Sequence, residues 1–301
     1  VTTTADVLSQ ARNDYLLTGN TERLNRIDTP LDASTETFSL ERELKNLKEG
    51  NKLSCELEDM YVLDVNEGSK TVTVIRGYYG TTAAAHPVNA VLTTNSRFTD
   101  AQILRTVNAE LASLSSPAVG LFRMSHVDVT YNDAVMGYDM TGTSGITVQS
   151  IWQVRYKNTG PEKDWPVLDN WALQTQSDTT QFASGNAFFL RDSGYAGNPV
   201  RIWYKTTFAP LATLTDNVLT VSGLHLEAHD ILPLGAAVRL TVGREIKRNF
   251  DESQGDTRRA GEVPPGANVG AFRVNLAWRA QRIKEEAQRL QTLDPMRLRS
   301  A

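Results

Sequence analysis

Along the first 27 residues, apolar side chains recur at three- and four-residue spacing. Val7, Leu8, Ala11, Tyr15 and Leu16 fall on one helical face, Thr3 or Thr4 is placed to cap it, and Gly19 and Asn20 interrupt it. "TERLNRI" reads as a further turn of the same helix. From residue 34 to 94 the period shortens to two. "MYVLDV" and "KTVTVIRG" are joined by "NEGS", a hairpin signal, and "AVLTT" closes a small sheet able to form a small barrel. "SRFTDAQILRTVNAELASLSSP" returns to helical spacing. Its stripe is Ile103, Leu104, Val107, Leu111 and Leu114, with Thr99 or Ser96 as cap, Asp100 at the positive end of the dipole and Pro117 as the stop.

Strand-like runs separated by Gly, Asn, Asp and Pro follow from 120 to 224: "SHVDVTYN", "YDMTG", "ITVQSIWQVRYKN", "NWALQTQS", "NAFFLR" and "PVRIWYKTTFAPL". Such spacing predicts a β sandwich. Asp230 then caps "ILPLGAAVRLTVGREIKRN", with Arg244, Lys247 and Arg248 at its C-terminal end. A polar stretch with a double proline leads to a last helix, from about Asn268 to Leu293, with the stripe Phe272, Leu276, Arg279, Ile283, Ala287 and Leu290. The order is helix, small β unit, helix, β sandwich, helix, helix. The simplest packing that buries every helical stripe is an α+β fold: a helical core of about four helices with two inserted β modules, one barrel-like and one a sandwich. The corresponding segments are 1–33, 34–95, 96–118, 119–226 and 227–301.

Composition adds little to this picture and charge adds more. Apolar residues are 40% and charged residues 22% of the 301, an ordinary globular balance. The lone Cys55 excludes an internal disulfide framework and a multi-cysteine metal site, which suits folding in a reducing cytoplasm. "VTTTADVLSQARNDYLLTG" lacks the charged start and apolar core of a secretory signal, and no apolar run reaches the roughly 20 residues of a membrane span. The net charge of −4 conceals an asymmetry: from Arg239 onward 13 basic residues face 8 acidic ones, and the remainder has 18 against 27. A basic end on an acidic body suits nucleic acid or an acidic protein surface. Without aromatic interleaving, docking on protein is favoured.

The candidate chemistry is thin. His225 and His229 are four apart, but the helix begins after them, and the metalloprotease pattern places Glu directly after the first His. "GYDMTGTSG" and "RDSGYAGNP" lack the Lys-Ser/Thr and following helix of a phosphate loop, and Ser144 lacks the spacing of a hydrolase elbow. Glu56, Glu58 and Asp59 could mimic a glycosidase pair, but alternate carboxylates on a strand more often mark a solvated face. Arg258 and Arg259 could contact phosphate or a partner's carboxylates. No nucleophile, base and oxyanion site assemble. The expectation is a non-enzymatic interaction protein with no cofactor and no metal.

"TVTVIRGYYGTTAAAHPVNAVL" (71–92) followed by "RFTDAQILRTVNAELASL" resembles a combination found in structural proteins of tailed bacteriophages: a hairpin ending in an R-G-x-x-G-T-x-A-A-x-H turn, then an F-T-D-capped helix. The run from Gly223 to Asn268, with the Arg-rich terminal helix, is similar to head-to-tail adaptor (connector, neck) proteins of actinobacteriophages. In the turn, Gly77 and Gly80 permit a sharp corner, Ala83 to Ala85 let chains approach, and Arg76 and His86 are placed to fasten it. The resemblance implies a homo-oligomeric ring of twelve copies in the virion. It would bind the portal protein on one side and a tail-side neck or terminator protein on the other, with genomic DNA passing through its lumen and no membrane involved. Arg289, Arg297 and Arg299, with Arg258 and Arg259, are the implied docking residues. A tail or baseplate structural protein is the alternative, and a virion hydrolase a third class.

Overall fold

The structure, a computed structural model, describes residues 2–16, 23–42, 44, 47–157, 165–192, 196–241 and 267–295. Its Cα framework divides into two compact units. One comprises Val1–Glu110, Pro210–Val221 and Leu226–Gln281; the other comprises Leu111–Ala209, Ser222–His225 and Arg282–Ala301.

The first unit opens with α1 (Thr4–Gln10), held by a capping box. The Asp6 amide donates to Thr3 Oγ1 at 3.3 Å while the Thr3 amide donates to Asp6 Oδ2 at 2.8 Å. The helix then widens into a π turn over Ala11–Leu16. Six strands follow: β1 (Arg23–Arg26), β2 (Thr37–Ser39), β3 (Lys52–Cys55), β4 (Glu58–Asn66), β5 (Thr71–Ile75) and β6 (Val91–Thr94). They form one antiparallel sheet in the order β1-β6-β3-β4-β5-β2. Its two edges approach each other, because an Ile27–Leu40 bridge and the bonds from Asp28 N to Ser39 O (3.2 Å) and Glu41 N to Arg26 O (3.0 Å) link the ends of β1 and β2. The sheet is a curled half-barrel around Ile27, Phe38, Leu53, Met60, Val62, Val72, Val74 and Leu92. Alternation sets this core: in β5, Val72 and Val74 point inward while Thr71, Thr73 and Ile75 do not. The β4–β5 turn is pinned by Asn66, whose Oδ1 accepts from the amides of Gly68 (3.1 Å) and Ser69 (3.2 Å).

Helix α2 (Asp100–Leu114) starts at Thr99, whose hydroxyl accepts from the Gln102 amide (3.2 Å) and donates to Asp59 Oδ2 (3.0 Å). A short α3 (Val218–Ser222) precedes α4, residues 231–241. The long α5 (Ala267–Leu293) belongs to the first unit as far as Gln281 and to the second from Arg282.

The second unit contains two three-stranded antiparallel sheets. β8 (Gly137–Asp139), β10 (Trp171–Thr175) and β11 (Asn186–Leu190) run in the order β10-β11-β8; β7 (Arg123–Thr130), β9 (Val148–Tyr156) and β12 (Pro199–Thr206) run in the order β7-β12-β9. Both sheets contribute to one core, with Tyr138, Met140 and Phe188 from one side and Val129, Val154, Val200, Ile202 and Tyr204 from the other. The strict alternation of β12 buries Val200, Ile202 and Tyr204 and leaves Arg201, Trp203 and Lys205 partly exposed.

The expected helical core with inserted β modules is not formed. The architecture is three antiparallel sheets with helices added to them. Three local facts account for the difference. Arg23–Arg26, expected as a helical turn, pairs with β6 as a strand. α1 has only seven residues before its hydrogen bonding changes register. In the first half of α5, Leu276 of the expected stripe is 42% exposed and Phe272 is only partly covered, so that stripe is not a bundle seam. Where α2, α4 and α5 do meet within the first unit, they share a carboxylate. Glu110 is fully buried, accepts from Arg239 Nε at 3.0 Å and Arg279 Nε at 2.6 Å, and presses on Gly235, where a Cβ would lie 2.4 Å from its carboxyl carbon. Among the described residues no helix is long and apolar enough to cross a membrane.

Candidate functional site

The corner that follows β5 brings together four residues singled out in the sequence, Arg76, Gly77, Gly80 and His86. Gly77 (φ 61°), Tyr79 (φ 53°) and Gly80 (φ 75°) are all left-handed, which folds the chain sharply back after Arg76. A Cβ on Gly77 would approach the Ala83 amide nitrogen at 3.1 Å and the Thr81 carbonyl at 3.2 Å. Thr81 locks the turn: its hydroxyl donates to the Tyr78 carbonyl at 2.8 Å and accepts from the Asp59 amide at 3.0 Å.

The centre of the corner is Glu58, the first residue of β4, fully buried. Its Oε1 accepts from Arg76 Nε (2.7 Å) and the Gly77 amide (3.0 Å), and its Oε2 accepts from Arg76 Nη2 (2.7 Å) and the Ala84 amide (3.1 Å). His86 Nε2 lies 2.9 Å from the same Oε2, and His86 Nδ1 lies 3.2 Å from Glu56 Oε2. The guanidinium of Arg76 spends its remaining N–H groups on backbone carbonyls, those of Asp32 and Thr35 at 2.8 Å and Ala84 at 2.6 Å. Backbone pairing between His86 and Leu31 (2.8 and 2.9 Å) ties the far end of the loop to the sheet.

Burial is the largest influence on Glu58 and by itself pushes the carboxyl upward. The hydrogen bonds from Arg76, His86, Ala84 and Gly77 together outweigh it and hold the group down to about 2. Asp32, in the adjoining turn, is likewise held at about 2 by the hydroxyls and amides of Thr35 and Ser34. The neighbouring Cys55 thiol is pushed up to about 12, first by burial and then by Glu56 and Glu58, so it is no nucleophile at neutral pH.

Sequence patterning missed the role of Glu58, taking it with Glu56 for a solvated face. The residues are not on one regular strand: Glu56 has φ 51° in the β3–β4 turn, leaving it half exposed and Glu58 enclosed. Arg76, singled out in the sequence only as a fastener of the turn, is itself buried, and the structure shows Glu58 as the carboxylate that balances it. Above this hub the loop exposes two aromatic rings. Tyr78 and Tyr79 sit edge to face with centroids 4.4 Å apart, and Tyr79 is 50% exposed. Arg105 of α2 fixes that backbone by donating to the carbonyls of Tyr79 and Gly80, both at 2.9 Å.

The other expected site residues are not gathered here. Arg289 lies on the second-unit part of α5 and is engaged by Glu286, at 2.8 Å from Nε and 2.5 Å from Nη2. Arg258, Arg259, Arg297 and Arg299 lie outside the described residues. No group of three or more His, Cys, Asp or Glu side chains able to hold a metal occurs among the described residues. In the second unit, Lys205 lines a cleft with Phe122, Gln149 and Asp294; its ammonium stands 3.8 Å from the Phe122 ring centre, and burial pushes its pKa down.

Chemically, the Glu58 hub is a fastening. Both carboxylate oxygens are taken up by donors within the chain, and both imidazole nitrogens face carboxylates, so neither group is left open to a substrate. No protein-family model matches this chain, and no curated protein matches it significantly.

Proposed function

We propose that this chain is a structural, non-enzymatic component of a tailed-phage virion: a homo-oligomeric ring at the head-to-tail junction, bound to the portal on one side and to a tail-side neck or terminator protein on the other, with DNA passing through its lumen. The observation that carries the reading is the saturated Glu58 hub beneath two exposed tyrosines. It lies on the same R-G-x-x-G-T-x-A-A-x-H turn that carries the resemblance to phage structural proteins. A rigid corner with aromatic rings on its outer side suits recognition by shape, since tyrosine supplies large contact area at small entropy cost.

A tail or baseplate position is the second reading, and the mostly β architecture favours it, because the smallest adaptors are essentially helical. Imaging intact particles in which this chain carries a label separates the two. A labelled ring at the neck supports the first reading, and label confined to the tail tip refutes it. In the ring, Arg258→Ala with Arg259→Ala is expected to impair particle assembly. Normal assembly with a weakened, salt-sensitive DNA complex would instead assign those residues to DNA.

A further inference from the structure

On the outer face of the half-barrel, strand register lines up four side chains in one row across β1, β6, β3 and β4. Leu24 lies opposite Thr93, Thr93 opposite Ser54 and Ser54 opposite Asp59. Leu53 and Cys55, on either side of Ser54, belong to the barrel core, so the Ser54 hydroxyl points away from it. The row passes from covered to open: Asp59 is 1%, Ser54 5% and Leu24 56% exposed. Ser54, Thr93 and Leu24 line a cleft of about 470 Å³, within the range of about 300–1,000 Å³ typical of binding sites.

Two donors in the wall of this cleft are left over. Ser54 Oγ and Arg12 Nε are each shut off from water and have no hydrogen-bond partner among the described residues. Arg12 comes from the π turn, and its Nη2 is already engaged by Asp100 Oδ1 at 2.5 Å and by the Phe98 carbonyl at 3.5 Å. A buried donor without a partner is costly, so two of them beside one cleft mark the place of a bound acceptor. That acceptor is not an anion, because the carboxylates of Glu56 and Asp100 line the same cleft and would repel it. Glu56 Oε2 meets His86 at 3.2 Å, while its Oε1 has no partner among the described residues and is suited to receive a donor. The remaining walls are aliphatic: Leu24, Leu214 and Val91, the last 47% exposed. A neutral group with an acceptor oxygen, a neighbouring N–H and an aliphatic branch is a peptide unit beside an aliphatic side chain.

We propose that this cleft takes an extended segment of a partner polypeptide, with an aliphatic side chain laid on Leu24, Val91 and Leu214. A main-chain carbonyl accepts from Arg12 Nε and from Ser54 Oγ, turned towards it by rotation about χ1, and a main-chain amide donates to Glu56 Oε1. Because Leu24 and Val91 leave the β1–β6 side open, a chain continues past the cleft, which a single amino acid would not need. The inference goes beyond the ring reading and holds for neck and tail positions alike.

Amide NMR of the isotope-labelled full chain, titrated with N-acetyl-leucine N-methylamide, tests it. This probe carries one aliphatic side chain between two peptide units. Saturable shifts should appear at the amides of Ser54, Glu56 and Thr93, with a midpoint in the millimolar range expected of so few atoms. Ser54→Ala should weaken binding about three- to tenfold and leave the thermal midpoint unchanged or raised, since Oγ has no partner to lose. Leu24→Ser, at an exposed position, should weaken binding severalfold without unfolding the chain. Unchanged affinity in Ser54→Ala with a lowered midpoint would show that Ser54 serves Asp59, whose Oδ1 is also unpartnered, and overturns the site. Tighter binding of free leucine, or saturable binding of acetate alone, overturns the peptide as occupant. No saturable shift with any of the three leaves the cleft to water and overturns the inference.

Discussion

Replacing Glu58 with Gln preserves the shape of the side chain and removes its charge, which isolates what the carboxylate contributes. Glu58 accepts five hydrogen bonds: two from Arg76 and one each from Gly77, Ala84 and His86. An amide has one acceptor oxygen. With its nitrogen at the Oε1 position it confronts Arg76 Nε and the Gly77 amide; with its nitrogen at Oε2 it confronts Arg76 Nη2, the Ala84 amide and His86. Either orientation orphans at least two buried donors, at about 1–3 kcal/mol each. Breaking a buried ion pair by removing one partner costs about 3–5 kcal/mol. A carboxyl held near 2 instead of its ordinary 4.5 corresponds to about 3 kcal/mol carried by these same hydrogen bonds. The expected loss is therefore about 3–5 kcal/mol, or about 6–20 °C in midpoint for a unit of this size. Thermal and urea unfolding followed by circular dichroism measure it, with Glu56→Gln as control. The Glu56 side chain is half exposed, and its loss should stay within about 1 kcal/mol. A Glu58→Gln protein within about 1 kcal/mol of wild type would refute the hub as the fastening of the corner.

The same hub predicts a pH dependence. Because the folded pKa of Glu58 is depressed, its stabilisation is fully present above about pH 4.5 and is lost as pH falls towards about 2; Asp128, held at about 2 by Arg201 and then Lys157, adds loss in the same direction. Urea midpoints across that window should fall more steeply for wild type than for Glu58→Gln, and parallel curves would count against the assignment. Gly235→Ala in α4 should destabilise, although Ala normally gains about 1 kcal/mol over Gly inside a helix, because the added Cβ would meet the Glu110 carboxyl at 2.4 Å; unchanged or raised stability would show that Glu110 moves aside at little cost. Gly77→Ala should lower stability by about 1 kcal/mol or more, from its left-handed φ and the close Ala83 and Thr81 backbone, and unfolding midpoints equal to wild type would disprove it.

Local periodicity made the hairpin of β4 and β5, helix α2 with its Thr99 cap, and the strand-rich stretch from 120 to 224 legible, since each depends on neighbours in sequence and on turn chemistry a few residues away. The glycines of the corner were legible for the same reason: a left-handed backbone is a local demand. Arg23–Arg26 was not legible, because a four-residue strand has little pattern of its own and is defined by β6, far away in sequence. Glu58 and Glu110 were not legible either. A carboxylate reads as solvent-facing until a distant arginine encloses it, and the partners that do so, Arg76 for one and Arg239 and Arg279 for the other, lie between 18 and 169 residues away.

For this protein, then, the order of β and α stretches, the sharp turn at residues 76–80 and the basic end are written in the chain, because propensity, alternation and net charge act over a few residues or are simple sums. Which stripes are actually covered was decided only in three dimensions. Closing a sheet buries its own inward face, whereas a helix depends on what happens to lie beside it. The inward faces of the sheets are therefore covered within the chain, while Val274, Leu276 and Trp278 of α5 stay exposed.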